Sequence, residues 1–305
     1  GFKLLAAWLL ILSLLSGCAA RGENFDLGRL APDALLALSP SGQKLLVSWQ
    51  GPRQKLEGRL LSFSGDSITS IQLLSLPDDT FNISFGRGED HLVVTTLDKQ
   101  FVSTLLRIDL RDGTRTLIHT SQARMGFPLE IGENDYVFLE ANERGGSYGR
   151  WQRLQGHQKT VLHDELYGRA APLNLVQGAL FISHPTQPLS FQVMLGSLPA
   201  GLPALIDSST FLIRCADTRP LTCVRSHLHF PPLGGSFQTL DIFSKKRRCK
   251  VEGQWVDGRE TLISRDGSTV VFHAFVDKRD GPRAIYRIRN DGSSCTARQL
   301  QLGAT

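Results

Sequence analysis

Apolar residues in this chain fall in short runs of roughly four to seven positions, bounded by Gly, Pro, Asp or Asn, which is the pattern of strands. Helical spacing of apolar positions is hard to find after residue 20. The runs also repeat. Ser39-Pro40-Ser41-Gly42-Gln43-Lys44-Leu45-Leu46-Val47 aligns without a gap on Ser264-Arg265-Asp266-Gly267-Ser268-Thr269-Val270-Val271-Phe272. Looser copies carry Gly88-Glu89-Asp90, Glu133-Asn134-Asp135 and Gln177-Gly178 at the turn. The first apolar residues after successive turns are Leu45, Leu92, Tyr136, Ala179, Leu221 and Val270, a period of about 45 residues.

Within each period further short strands follow, as in Thr104 to Leu110, the turn Arg111-Asp112-Gly113, and Thr114 to Ile118. The last period repeats this with Ala284 to Arg289 before Asn290-Asp291-Gly292. Asp-Gly pairs between apolar runs favour tight hairpins because glycine accepts positive φ. About four antiparallel strands per repeat predict an all-β chain, a six-bladed β-propeller of four-stranded antiparallel blades over residues 31–305. The turns Ser39-Pro40-Ser41-Gly42 and Ser264-Arg265-Asp266-Gly267 with their strands resemble the propeller repeats of TolB-type and prolyl-oligopeptidase-type proteins. In that resemblance the turn residues hold blades together and carry no chemistry, so function must come from a site.

The beginning of the chain is different. Lys3 precedes the apolar run Leu4 to Leu12, which continues to Leu14-Leu15 and reaches Ser16-Gly17-Cys18. A basic start, an apolar centre and small residues are the layout of a secretory signal, and the run is shorter than the ~20 residues a spanning helix needs. Leu15-Ser16-Gly17-Cys18-Ala19 resembles the bacterial lipobox. The resemblance implies a signal peptide over residues 1–17 and lipidation at Cys18. It further implies a tether over residues 18–30 and, with Ala19 after the cysteine, sorting to the outer membrane, facing the periplasm.

The net charge of +5 is mild for a chain of 305 residues and predicts no nucleic-acid partner. Besides Cys18 there are Cys215, Cys223, Cys249 and Cys295, an even count suited to an oxidising compartment. Two short apolar strands flank the polar turn between Cys215 and Cys223, which favours pairing these two and leaves Cys249 with Cys295.

Candidate chemistry is sparse. Gly145-Gly146-Ser147-Tyr148-Gly149 matches the nucleophile-elbow pattern, but no helix pattern follows, so it reads as a hairpin loop. His157, His163, His227 and His229 form no known metal spacing, although His227 and His229 share one face of a strand. The basic run Lys245-Lys246-Arg247-Arg248 reads as a solvated turn, or as a patch for anionic lipid headgroups or an acidic partner. Loops at Gln50 to Gly58, Asn142 to Tyr148 and Asp277 to Pro282 mix Arg53, Lys55, Arg144, Lys278 and Arg279 with Glu57, Glu143, Asp277 and Asp280. A face of alternating charge suits protein contacts.

The sequence therefore predicts a membrane-anchored scaffold that binds an envelope protein, with no catalytic residues, no metal and no cofactor. The alternatives are a hydrolase or lyase on glycans or peptides at the channel mouth, and a sensor of a small ligand.

Overall fold

The computed structural model describes residues 34–50, 56–141, 148–166, 174–183, 191–197, 199–202, 210–229, 237–244, 247–251, 255–275, 283–290 and 296–300. The described residues form strands and turns, with no helix among them. The first sheet holds β1 (Leu36–Leu38), β2 (Lys44–Gln50), β3 (Leu56–Ser64) and β4 (Ser67–Ser75); the second holds β5 (Thr80–Phe85), β6 (His91–Leu97), β7 (Ser103–Asp109) and β8 (Arg115–Ser121). The third comprises β9 (Met125–Gly132), β10 (Asp135–Ala141), β11 (Tyr148–Gln155) and β12 (Gln158–Leu166). The fourth comprises β13 (Asn174–Val176), β14 (Ala179–Ser183) and β15 (Phe191–Leu195). The fifth contains β16 (Thr210–Cys215), β17 (Thr222–His229), β18 (Phe237–Ser244) and β19 (Arg247–Val251). In the sixth are β20 (Trp255–Ile263), β21 (Thr269–Phe275), β22 (Arg283–Arg289) and β23 (Arg298–Gln299). Every pairing is antiparallel between consecutive strands.

The expected six four-stranded blades are thus corrected to five, because the fourth sheet has three strands among the described residues. The repeat anchors fall where the period puts them: Leu45, Leu92, Tyr136, Ala179 and Val270 all stand at the first or second position of the second strand of a sheet. Leu221 is the exception. It precedes β17, and Cys223 takes the slot.

The second strand reads as a continuous apolar run because both of its faces are covered. Leu45, Leu46 and Val47 are all fully buried, yet alternate side chains enter different layers. Leu45 and Val47 meet Val271 and Ile285 of the sixth sheet, whereas Leu46 meets Phe85, Leu92 and Val94 of the second. The same division recurs around the molecule. Val93 and Leu105 meet Phe138 and Leu154, Val137 and Trp151 meet Leu180, Val176 meets Ile213 and Phe243, and Val224 and Ile242 meet Phe272 and Tyr286. Each sheet therefore packs on the next and the last on the first. Each buried Leu, Val or Phe contributes roughly 1.5–3 kcal/mol, so the core is spread over the junctions between sheets.

The turn before the second strand explains its own sequence. In the first sheet Ser39 Oγ accepts the Lys44 amide at 3.0 Å while Gly42 N donates to Ser39 O at 2.9 Å, with Gly42 at φ 69°. In the sixth, Ser264 Oγ accepts the Thr269 amide at 2.9 Å and Gly267 stands at φ 71°. The glycine slot is filled in the second sheet by Glu89 at φ 60°. In the third and fourth sheets the link shortens to Glu133-Asn134 and Gln177-Gly178, closing the pairs Gly132–Asp135 and Val176–Ala179.

Candidate binding cleft between the second and third blades

These turns place ionisable side chains at the junctions between sheets. In the second sheet the turn 86–91 ends in His91, which is 4% exposed. Its Nδ1 lies 2.6 Å from Asp90 Oδ1 and its Nε2 3.2 Å from Glu130 Oε2 on β9 of the third sheet. The second contact is an ion-pair approach rather than an aligned hydrogen bond. The same Glu130 oxygen accepts the Arg87 amide at 2.7 Å. Gly86 is required here, since a Cβ would stand 2.0 Å from His91 Nε2. The hydrogen bond from His91 holds the Asp90 carboxyl below its ordinary range, against the opposing effect of burial.

Beside this cluster Tyr136 and Arg107 pass from the buried junction to an open cleft of about 640 Å³ between the second and third sheets. Burial pushes the Tyr136 hydroxyl up, Glu130 adds to that, and Arg107 opposes it. Asp109, Thr116, Ile118 and His157 also line it, with Leu117 60% exposed. Further along the same junction Glu140 accepts from Ser121 Oγ at 2.5 Å, Gln152 Nε2 at 3.1 Å and Lys159 Nζ at 3.0 Å. Burial lowers the His119 pKa, the Lys159 charge lowers it further, and Glu140 opposes both. An apolar layer of Leu105, Phe138 and Leu154 separates the two polar clusters.

Similar struts join other sheets. Glu89 accepts from the Ser41 amide and, at 2.9 Å, from Ser41 Oγ in the first sheet. Asp217 accepts the Gln177 amide at 2.8 Å and the Arg265 guanidinium at 2.8 and 3.0 Å. Burial would raise the Asp217 carboxyl, but Arg265 and the Gln177 amide hold it below its ordinary range. Arg265 N donates to Pro40 O at 2.8 Å, tying the last sheet to the first.

The arrangement decides the architecture. The fold is a β-propeller. The chain matches TolB from Acinetobacter baumannii with a TM-score of 0.54 at 11% identity, over 85% of this chain and 61% of that one. It matches the Pyrococcus horikoshii acylaminoacyl peptidase with a TM-score of 0.52 at 11% identity, over 88% of this chain and 45% of the peptidase. A further acylaminoacyl peptidase structure gives a TM-score of 0.53 at 10% identity. The chain thus spans less than two thirds of the length of each of these three proteins. No family model matches it, and no curated protein matches its sequence.

Of the residues expected from sequence, Cys215 and Cys223 are joined by a disulfide across β16 and β17, with Cα atoms 4.0 Å apart. Cys249 is disulfide-bonded as well, while its expected partner Cys295 lies outside the described residues. Cys18, Ser147, Lys245, Lys246 and the side chains of His227, His229, Arg247 and Arg248 also lie outside them. So do Arg53, Lys55, Glu143, Arg144, Asp277, Lys278, Arg279 and Asp280. Arg247 and Arg248 belong to β19 rather than to a turn, and Glu57 to β3 rather than to a loop. His157 sits on the cleft, and His163 is on β12 beside Asp164, which pairs with Arg150 at 3.0 Å. No group of three metal-binding side chains occurs among the described residues, and no described helix is long and apolar enough to cross a membrane. Sequence reasoning missed Arg107, Glu130, Tyr136 and Glu140. Only the Asp90-His91 pair after two turn glycines signalled the cluster.

Proposed function

We propose that this chain is a lipid-anchored propeller that binds a protein partner in the bacterial envelope, through the cleft between its second and third blades, without chemistry of its own. The carrying observation is the composition of that cleft. Arg107, Asp109, Tyr136 and His157 stand beside Ile118 and the exposed Leu117, and Val161 on neighbouring β12 is 54% exposed. A polar rim around a few exposed apolar side chains is the make-up of a protein interface. The acids and bases gathered nearby are already engaged: Glu130 meets His91 across the blade junction, while Asp90 meets His91 and Glu140 meets Lys159 within their own blades. Their geometry supports a structural role.

Cys18 carries the lipid in this reading, residues 18–30 form the tether, and the outer membrane is the host. Anchoring restricts the propeller to a surface and raises the effective concentration of neighbouring envelope proteins. The test is a crosslinking capture from intact cells with the native chain, a Cys18→Ala form and a Leu117→Glu form. A defined envelope protein captured by the first and weakened in the other two supports the reading. Equal capture by all three rejects it.

A further inference from the structure

The outer strand of a blade exposes a row of backbone donors and acceptors, which natural proteins blunt with charge, Pro or bulges. The outer strands of the later four-stranded blades follow that rule: β8 carries Arg115, β12 carries Lys159, Asp164 and Glu165, β19 carries Arg247, Arg248 and Lys250, and β23 carries Arg298. Strand β4 does not. Its nine residues, Ser67-Ile68-Thr69-Ser70-Ile71-Gln72-Leu73-Leu74-Ser75, include no charge, no Pro and no Gly. Ile71 is 44% exposed and Leu73 69% exposed, two apolar side chains on one face of an open edge.

The ends of β4 carry opposite charge. At its start two guanidiniums share one carboxylate, with Arg298 2.8 Å and Arg289 3.9 Å from Asp66. At its end Glu57, Asp78 and Asp79 are exposed, with Arg115 as the neighbouring cation, donating to Ser75 O at 3.0 Å. An edge that is positive at one end and negative at the other complements itself when turned around. We propose that β4 pairs antiparallel with β4 of a second copy of this chain, centred on Gln72. The one register shift in the pairing of β4 with β3 leaves Thr69 unpaired as a bulge, and Ser70 to Ser75 is regular. In that register Gln72 faces its own copy, Ile71 faces Leu73 in both directions, and the acidic end lies along the basic end. Four exposed apolar side chains become one covered patch on an eight-stranded sheet. An isologous contact of this kind closes as a dimer and does not propagate. It is independent of the partner-binding reading, which a monomer would leave intact.

The test uses the full chain in mild detergent with Cys18→Ala as background. With Gln72→Cys, oxidation gives a covalent dimer, because residues facing across the dyad have Cα atoms about 4.5–5.5 Å apart. With Thr69→Cys it does not, because that residue stands roughly 20 Å from its copy at about 3.3 Å per residue. The mass of the unlinked chain measured by sedimentation is twice that of Leu73→Lys, whose circular dichroism and melting are unchanged. A chain of single mass, a dimer that survives Leu73→Lys, or Gln72→Cys that links no better than Thr69→Cys would each overturn the proposal.

Discussion

His91 Nε2 lies 3.2 Å from Glu130 Oε2, and the two residues belong to different blades. Both are buried, and Glu130 also accepts the Arg87 amide, so one carboxylate on β9 holds both ends of the turn 86–91. Glu130→Ala leaves the buried His91 imidazole and the part-buried Arg87 amide without that partner. It should cost about 2–4 kcal/mol, read as a lower urea midpoint with little change in slope. Gly86→Ala expels the same ring and should be strongly non-additive with Glu130→Ala in a double-mutant cycle. Additive losses would show that the turn and the carboxylate act separately.

Closure between the last blade and the first depends on Gly42. Its φ is +69°, and an added Cβ would stand 2.6 Å from Thr269 Cβ and Oγ1. Gly113 has a similar φ of +73° but open space around it. Gly113→Ala therefore tests backbone strain alone, about 1 kcal/mol, and Gly42→Ala should cost at least about 2 kcal/mol because the junction must also move. Thermal unfolding of the two variants gives the comparison; equal losses would mean that the contact with Thr269 is relieved without penalty.

Acid should weaken the fold in two stages. Burial lowers the His119 pKa below its ordinary 6.5, so the unfolded chain takes up that proton first and stability falls as pH drops below about 6.5, until the folded value is reached. Asp217 is held below its ordinary 3.8 by Arg265 and the Gln177 amide, against burial. Its contribution is complete above that value and is lost as pH falls through the lower folded one. His119→Gln should abolish the first stage and leave the second, as followed by urea midpoints from pH 7.5 to 3. Persistence of the first stage in that variant would assign it elsewhere.

Joining Cys215 to Cys223 closes a short loop at sequence separation 8. On the chain-entropy account this contributes about 2.5 kcal/mol, so a Cys215→Ala, Cys223→Ala double variant should lose about that much in urea unfolding. A loss below about 1 kcal/mol would show that the β16–β17 pairing holds the hairpin unaided.

Much of the fold was legible because a strand buried on both faces must be apolar at consecutive positions, as at Leu45-Leu46-Val47, and because Ser39 and Ser264 mark the same hydrogen-bonded turn. The middle repeats were fainter for a physical reason. Glu133-Asn134 and Gln177-Gly178 are two-residue links in which no serine is needed to cap the turn. The period puts Leu221 in a slot that Cys223 fills, since two apolar residues flank Thr222 and only pairing with Cys215 separates them. The cleft was not legible at all. Arg107 and Tyr136 sit on strands of different blades, and each looks like an ordinary strand residue until the blades are packed together.

The central claim is that the cleft between the second and third blades receives a protein. A photocrosslinking amino acid placed at Leu117 in the full chain, compared with one at the exposed Lys250 on β19, tests it in intact cells. The account predicts one defined adduct from Leu117, lost when Arg107→Glu is added, and none of that mass from Lys250. The same adducts from both positions, or none from Leu117, would contradict it.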